Sequence, residues 1–293
     1  MNTPGNKFRE AIADNKPLMV VGAINAYCAK MAEKAGHKAL YLSGAGVANA
    51  SFGLPDLAIT TLNDVAEDSR RITQATNLPL LIDIDTGFGG AFSISRTIKE
   101  MIAADVAAVH IEDQVTQKRC GHRPNKSLVD KIEMTDRIKA AVDSRTDESF
   151  FIMARTDSYA SEGMQGAIDR CNEYISAGAD GLFLEAVSSL EDYKQLKDAL
   201  QVPLLANITE FGKTPLFSAQ ELASVGVDIM LFPLSAFRAM NKAAESVYID
   251  IAENGSQVNS VEKMQTRDEL YEYLNYHSFE QKLDELFKRK ENK

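Results

Sequence analysis

The sequence contains no tryptophan and only three cysteines, at positions 28, 120 and 171. Their number is odd, they lie far apart, and none has the CxxC spacing of a structural zinc site. This pattern argues against the disulfide framework of a small secreted protein. We therefore expect a protein of a reducing, cytoplasmic compartment.

Positive charge is also in short supply, because 32 Lys and Arg residues face 42 Asp and Glu residues and the net charge is -10. Nucleic acids and anionic membranes are held mainly by clustered basic side chains, so neither is an expected partner. No stretch approaches the roughly 20 apolar residues of a membrane span, and the first residues lack the apolar core of a signal peptide. A small anion in a locally basic pocket is still compatible with this composition.

A GxGxxG fingerprint is missing after the first apolar run, which disfavours the alternative of an open, doubly wound sheet. Instead, eight short apolar runs alternate with helical patterns, and eight such units over about 250 residues predict a closed (β/α)8 TIM barrel. The runs cover residues 18–24, 39–43, 80–85, 107–112, 150–155, 181–185, 204–208 and 228–233. The helical patterns cover residues 26–35, 62–76, 94–103, 134–142, 164–177 and 190–200.

Extra helices are predicted at both ends of the barrel, over residues 6–14 before the first strand and over 235–253 and 261–290 after the last. We expect one β/α barrel domain over 1–293, in which 235–293 forms the eighth barrel helix and a helical oligomerisation extension. An apolar stripe at helical spacing in the last helix consists of Phe279, Leu283, Leu286 and Phe287. It can be buried on a partner subunit or on its own barrel, and the sequence leaves both open.

Polar side chains end six successive apolar runs. They are Tyr41 and Ser43, Asp83 and Asp85, His110 and Glu112, Arg155 and Asp157, Glu185, and Asn207 and Thr209. Strand residues two apart share a face, and barrel enzymes build their sites at the C-terminal ends of the strands. Because buried charges are costly unless paired or bound to a ligand, we predict a functional site rather than simple exposure to solvent.

Two carboxylates, Asp83 and Asp85, share one strand face and are followed closely by glycines that leave room for a ligand. Such a pair can divide acid and base roles or hold a hard divalent cation. Glu112 and Asp113 add further oxygens, whereas Zn²⁺ would require His or Cys at ligand spacing. We favour Mg²⁺ over a metal-free pair.

Arginine side chains clamp carboxylates in two-point fashion, and Arg155, Arg238 and Arg267 are candidates for this role. Neutral donors at the end of the seventh run complete a pocket for a small, oxygen-rich, multiply anionic substrate. The alternative for Arg155 is a paired counter-ion of Asp157 or Glu185.

The thiol of Cys120 lies in the basic segment Lys118-Arg119-Cys120-Gly121-His122-Arg123. Free cysteine is usually buried, and neighbouring cations lower the pKa of a thiol. We predict a chemical role for Cys120, against the alternative of a solvated basic loop with an incidental thiol.

Four motifs resemble the isocitrate lyase and phosphoenolpyruvate mutase superfamily, and the similarity covers almost the whole chain. They are Tyr41-Leu42-Ser43-Gly44, Asp83-Ile84-Asp85-Thr86-Gly87, Lys118-Arg119-Cys120-Gly121-His122 and Asn207-Ile208-Thr209-Glu210-Phe211-Gly212. The cysteine motif, continued by Arg123-Pro124-Asn125-Lys126, is most similar to the branch that cleaves a methylated isocitrate. Isocitrate lyases share the cysteine but usually carry an added helical segment, and the mutases and oxaloacetate-cleaving members lack or depart from this CGH motif.

The resemblance implies a barrel that uses Mg²⁺, with Mn²⁺ as a substitute, a homotetramer with a swapped C-terminal helix, and a mobile loop that carries the cysteine. Asp83 and Asp85 would serve the metal directly or through water. The substrate, a small tricarboxylate, would be lined by Ser43, Gly44, Ala45, Cys120, Gly121, Arg155, Glu185, Asn207, Ile208, Thr209, Arg238 and Arg267. Ala45 departs from the glycine that is common in the family, but its backbone N–H can still serve.

The implied reaction is a reverse aldol-type, Claisen-like cleavage of a methylated isocitrate to pyruvate and succinate, a step of propionate catabolism through the methylcitrate cycle. Cys120 would act as the general acid, and Tyr41 would be the base, position one, or simply pack the barrel. Phe183, Leu231 and Pro233 would form a recess for the methyl group, which discriminates by only about 1 to 3 kcal/mol. A barrel that only senses a metabolite is the non-enzymatic alternative.

Overall fold

A computed structural model describes residues 2–121, 123 and 125–288 of the chain. His122 and Pro124 of the cysteine motif lie outside the described residues. Positions 289–293, which include the last two residues of the helix predicted over 261–290, also lie outside them. The chain divides into two compact units between Phe237 and Arg238. The predicted single domain over 1–293 stays a prediction.

In the described part of the first unit, eight parallel strands close into a barrel in chain order, and the last strand pairs with the first. The strands are β1 (Leu18–Gly22), β2 (Ala39–Leu42), β3 (Leu80–Asp83), β4 (Ala108–Glu112), β5 (Phe151–Thr156), β6 (Gly181–Leu184), β7 (Leu204–Asn207) and β8 (Ile229–Phe232). Their near-continuous burial is typical of parallel strands that are covered on both faces. The prediction of a closed TIM barrel is confirmed, and the open-sheet alternative is wrong.

Helices alternate with these strands. They are α1 (Pro4–Asp14), α2 (Ala26–Lys34), the single turn α3 (Gly44–Gly46), α4 (Leu62–Thr73), α5 (Ala91–Ala103), α6 (Lys131–Asp143), α7 (Tyr159–Ser176), α8 (Leu190–Ala199) and α9 (Ala219–Ser224). A π-helical turn at Val47–Ser51 continues α3. Helix α6 begins earlier than its apolar pattern because Asp130 caps it, accepting a hydrogen bond from the Glu133 N–H at 2.8 Å.

Helix α1 packs on the N-terminal end of the barrel interior. Its start is set by Pro4 and by Thr3, whose side chain accepts a hydrogen bond from the Asn6 N–H. The fully buried Phe8 meets the ring of Phe151 edge to face, with centroids 5.4 Å apart. Apolar side chains fill this end of the barrel interior, and the polar side chains that end the strands lie at the opposite, C-terminal mouth.

The C-terminal part of the chain contains α10 (Ser235–Asn254), a 3-10 helix (Val258–Lys263), α11 (Arg267–Leu274) and α12 (Tyr276–Phe287). The expectation of one continuous helix over 261–290 is therefore wrong. Thr266 starts a new helix through a capping box with Glu269, and Asn275 ends it in the left-handed conformation at φ 54°. Within the described ranges, no helix combines the length and apolarity that crossing a membrane requires.

Candidate active site

The polar side chains predicted at the strand ends are all buried. They are Tyr41, Ser43, Asp83, Asp85, His110, Glu112, Arg155, Asp157, Glu185, Asn207 and Thr209. The alternative that they simply reach solvent is therefore wrong, and their role in a functional site stays a prediction. Buried ionised side chains are costly unless they are paired, and most of the ionisable side chains here form ion pairs with one another or with nearby lysines.

Lys118 inserts its ammonium group among carboxylates at this mouth. Its Nζ lies 2.6 Å from Asp56 Oδ1 and 2.7 Å from Asp85 Oδ1. Burial alone would lower the pKa of Lys118, but the surrounding carboxylates outweigh it and raise that pKa above its usual value. Lys118 was expected to act on the neighbouring thiol, but it pairs with these two aspartates.

Arg155 is surrounded by three carboxylates. Its Nε lies 3.0 Å from Asp157 Oδ2 and 3.3 Å from Glu112 Oε2, and its terminal nitrogen lies 3.1 Å from Glu185 Oε2. The guanidinium carbon also stands 4.9 Å above the ring of Phe183. Arg155 therefore pairs with Asp157 and Glu185, as the counter-ion alternative expected. These contacts hold its guanidinium group in an orientation that a ligand can use.

Tyr41 and His110 share a hydrogen bond in the barrel interior next to Asp83, and His110 Nδ1 has no hydrogen-bond partner among the described residues. The Tyr41 hydroxyl lies 2.8 Å from His110 Nε2, and His110 Nδ1 lies 3.7 Å from Asp83 Oδ1. Burial lowers the pKa of His110 to about 4, so the ring is neutral at pH 7. Burial, assisted by Asp83, raises the pKa of Tyr41 well above its usual value, which keeps the hydroxyl protonated.

The cysteine segment reaches the mouth through Gly121. A Cβ added to Gly121 would stand 2.4 Å from the Arg155 terminal nitrogen and 2.6 Å from Glu185 Oε2. Only a residue without a side chain allows this approach. Cys120 precedes Gly121 directly and is partly exposed, so the residue next to the thiol is the one that contacts Arg155 and Glu185.

A sequence profile of the phosphoenolpyruvate phosphomutase family matches residues 8–252, most of the chain. The chain belongs to the phosphoenolpyruvate phosphomutase family. A 2-methylisocitrate lyase from Vibrio cholerae is 61% identical over 291 residues, which cover 97% of this chain and 94% of that protein. A crystal structure of 2,3-dimethylmalate lyase, described as a PEP mutase/isocitrate lyase superfamily member, has a TM-score of 0.89 at 34% identity, covering 98% of this chain and 96% of that one.

These two relatives are lyases, and this phosphomutase-family chain is a carbon–carbon lyase as well. A third solved structure, phosphonopyruvate hydrolase in complex with oxalate and Mg²⁺, is 25% identical with a TM-score of 0.85. The match covers 98% of this chain and 100% of that one. The family is generally dependent on divalent metals.

The aspartates fit a divalent cation in this phosphomutase-family lyase. Asp83 Oδ2 and Asp85 Oδ1 each lie 3.1 Å from the point that a Cβ on Gly44 would occupy. Both buried oxygens of Glu112 accept no hydrogen bond from the described residues. In the same part of the chain, no three His, Cys, Asp or Glu side chains form a metal cluster. Few protein ligands, completed by water and substrate, suit Mg²⁺ better than Zn²⁺.

The neutral residues of the predicted pocket surround the same mouth in different ways. Asn207 donates to Glu185 at 3.4 Å, and Thr209 is buried close by in sequence. The side chain of Ile208 packs in the core between the strands and the surrounding helices. Ile208 can therefore contribute to the pocket only through its backbone. Phe183 and Leu231 pack in the barrel interior, in register with Arg155 and Asn207 respectively.

Not every predicted site residue belongs to the barrel unit. Arg238 and Arg267 lie in the C-terminal unit, and their part in the substrate pocket stays a prediction. Pro233, the third residue of the predicted recess, is buried directly after β8. Asp56 and Lys126 were not among the predicted site residues, although Lys126 ends the extended cysteine motif. They lie in loops and form ion pairs with Lys118 and Asp157 respectively. Neither loop has an apolar period that could have indicated them.

Proposed function

We propose that this chain cleaves 2-methylisocitrate to pyruvate and succinate in an Mg²⁺-dependent reaction with Cys120 as the general acid. The main support is the position of Gly121 against Arg155 and Glu185, which brings the thiol segment to the mouth that holds the aspartate pair. The 61% identity to a 2-methylisocitrate lyase supports the choice of substrate.

In this proposal Asp83 and Asp85 hold Mg²⁺ directly or through water. When bound, the cation lowers the pKa of the substrate hydroxyl and offsets the charge of the neighbouring carboxylate. Arg155, held in place by its three carboxylates, contacts a second substrate carboxylate, and Asn207 and Thr209 donate to further oxygens.

The chemical steps require one proton to leave the substrate hydroxyl and one to reach carbon. As the hydroxyl loses its proton, the carbon–carbon bond breaks, pyruvate forms with a new carbonyl group, and the electron pair stays on the succinate fragment. Cys120 then donates its thiol proton to that carbon. The raised pKa of Tyr41 keeps its hydroxyl protonated, so this group is not ready to accept the substrate proton. We therefore assign Tyr41 the role of positioning the base, through its hydrogen bond with His110.

The extra methyl group of the substrate is assigned to the recess of Phe183, Leu231 and Pro233. Phe183 and Leu231 are almost fully buried and lie at the level of the substrate-binding residues. One methyl group in an apolar recess is worth about 1 to 3 kcal/mol, so isocitrate is expected to be a poor side substrate.

Purified protein with Mg²⁺ tests this function directly. It is incubated separately with 2-methylisocitrate, isocitrate, 2,3-dimethylmalate, oxaloacetate and phosphonopyruvate, and loss of each substrate and formation of its products, including pyruvate and succinate, are measured by mass spectrometry. We expect equal amounts of the two products from 2-methylisocitrate at the highest kcat/KM of the panel. Faster turnover of any other compound would overturn the substrate assignment.

The proposal also includes a cytoplasmic homotetramer that acts in propionate catabolism. The proposed acid is a thiol outside any disulfide, which a reducing compartment preserves. The exposed apolar residues of α12 support an assembly of several copies.

A further inference from the structure

The loop between β4 and α6 has a fixed base. The Val115 N–H donates to the Ser127 carbonyl at 3.0 Å, and the Val129 N–H donates to the Asp113 carbonyl at 2.9 Å. The described residues 116–121, 123, 125 and 126, which include Cys120, belong to the tip of this loop. The two sides of the loop are hydrogen-bonded to each other at this fixed end, so any movement of Cys120 has to arise in the tip.

Lys126 joins this tip to the barrel. Its Nζ donates to the Gly121 carbonyl at 2.6 Å and pairs with Asp157 Oδ1 at 2.6 Å, and its side chain is only 8% exposed. The Gly121 carbonyl is one peptide away from Cys120, so the ammonium group of Lys126 acts on the backbone next to the thiol.

The carboxylate at the other end of this contact, Asp157, is itself held by hydrogen bonds. The Asp157 N–H donates to Asp113 Oδ1 at 3.0 Å, and the other Asp157 carboxylate oxygen receives the Arg155 Nε–H at 3.0 Å. Asp113 is fully buried and is also held by Thr156 and Tyr174. One carboxylate therefore orients Arg155 and anchors the tip of the cysteine loop.

We propose that Lys126 is a positioning residue that latches the cysteine loop onto Asp157 and so holds Cys120 at the substrate. This inference rests on the proposed function for its catalytic consequence. The latch itself is a property of the loop and can be measured without any substrate. A charge-assisted hydrogen bond in a nearly buried place is strong enough to control whether a loop tip stays closed.

The test compares Lys126→Met with the matched control Lys139→Met, which removes an exposed lysine of α6. Alkylation by iodoacetamide without substrate is followed by intact mass and peptide mapping. Cys28 and Cys171 are buried, so the reagent reports mainly on Cys120. We expect Cys120 to react about tenfold faster in Lys126→Met and at the wild-type rate in the control.

Activity gives a second, separate measurement. We expect kcat on 2-methylisocitrate to fall about tenfold or more in Lys126→Met with a smaller change in KM, because the latch positions the thiol that acts in the chemical step and not the groups that bind the substrate. Lys126→Arg, which keeps charge and reach, should return alkylation and kcat toward the wild-type values. If Lys126→Met melts at a lower temperature than the wild type, partial unfolding alone could speed its alkylation, and Lys126→Arg becomes the deciding variant. Fast alkylation of Cys120 in a stably folded Lys126→Arg protein would overturn the latch.

Wild-type alkylation in Lys126→Met would overturn the latch whatever the substrate of the enzyme. If alkylation accelerates as expected while no compound of the panel is cleaved by the wild type, the latch stands and the proposed function fails.

Discussion

At the scale of the residue, the mouth holds more carboxylates than its cations can neutralise. Lys118, Lys126 and Arg155 face a larger set of acidic side chains, which are Asp56, Asp83, Asp85, Glu112, Asp157 and Glu185. Burial raises the pKa of Asp85 to about 6, with a further rise from Asp83 that Lys118 partly offsets. A divalent cation would relieve this excess of negative charge and prepare the site for a polyanion.

Metal removal is the first prediction at this scale. Treatment with a chelator should abolish pyruvate release, and added Mg²⁺ or Mn²⁺ should restore it, because the aspartate pair is proposed to hold the cation. Asp85→Ala should raise the Mg²⁺ concentration for half-maximal activity by about tenfold or more, as loss of one charged ligand weakens the site. Metal titrations of activity check both points, and full activity in the chelator would refute the metal assignment.

Cys120→Ser separates binding from proton transfer. The hydroxyl group is a much weaker acid than the thiol, so kcat should fall by about 10² to 10⁴, the usual contribution of a positioned general acid. Substrate binding that depends on Mg²⁺ should persist in calorimetry. A variant that turns over at the wild-type rate would remove Cys120 from the chemistry.

Gly121→Ala tests the close approach of the cysteine segment. The added Cβ would stand 2.4 Å from Arg155 and 2.5 Å from the Glu185 side chain, so the segment must move away from the mouth. We expect kcat to fall by about tenfold or more, since small displacements of reacting groups are costly. Gly90→Ala is the matched control because a Cβ there meets no atom within 4 Å. Equal activity of the two variants would contradict the proposed closure.

Single residues differ in how far the sequence alone could identify them. Asp83 and Arg155 lie on strands, where successive side chains alternate between the two faces and the strand end marks the mouth, so their convergence was predictable. Asp85 follows β3 in a turn with φ 48°, so strand alternation does not explain its direction. Asp56 and Lys126 lie in loops, where no period relates position to direction. Their ion pairs depend on the folded path of the chain, which local patterns do not contain.

At the scale of the element, the strands of the barrel were the easiest part to predict. Buried parallel strands are short, apolar on both faces and bounded by turn residues, and the eight predicted runs agree with the observed strands to within two residues at each end. The short helix α9 has only six residues, too few to display a helical period. The break at Asn275 was also missed, because one left-handed residue changes the path of the chain without changing the apolar pattern.

Helix α1 should contribute directly to the stability of the barrel. Phe8 is fully buried against Phe151, so Phe8→Ala should reduce the free energy of unfolding by about 3 to 5 kcal/mol. The control Phe92→Ala removes a ring that is 94% exposed and should change it by less than about 0.5 kcal/mol. Urea titrations of both variants measure the difference, and a loss below about 1 kcal/mol for Phe8→Ala would show that α1 is not part of the core.

At the scale of the whole molecule, the remaining question is what covers the apolar side chains of the terminal helix. Phe279, Leu283, Leu286 and Phe287 of α12 are between 55% and 73% exposed in the described chain. A contiguous apolar face of this kind usually marks a contact with another protein. A second copy of the same chain is the partner that the homotetramer prediction supplies, and a closed ring of copies can bury the same face in every subunit.

Sedimentation velocity tests this assembly. The wild type should sediment as a species of four chains of 32.2 kDa each, and the double variant Phe279→Asp, Leu283→Asp should give smaller species, because charges in an apolar interface are costly. Lys282→Glu is the matched control, since it changes charge on the same helix at a residue whose side chain is 66% exposed and paired only at 3.5 Å with Glu285. A wild type that sediments as a single chain would exclude the tetramer, and a double variant that stays tetrameric would show that the subunits associate through another surface.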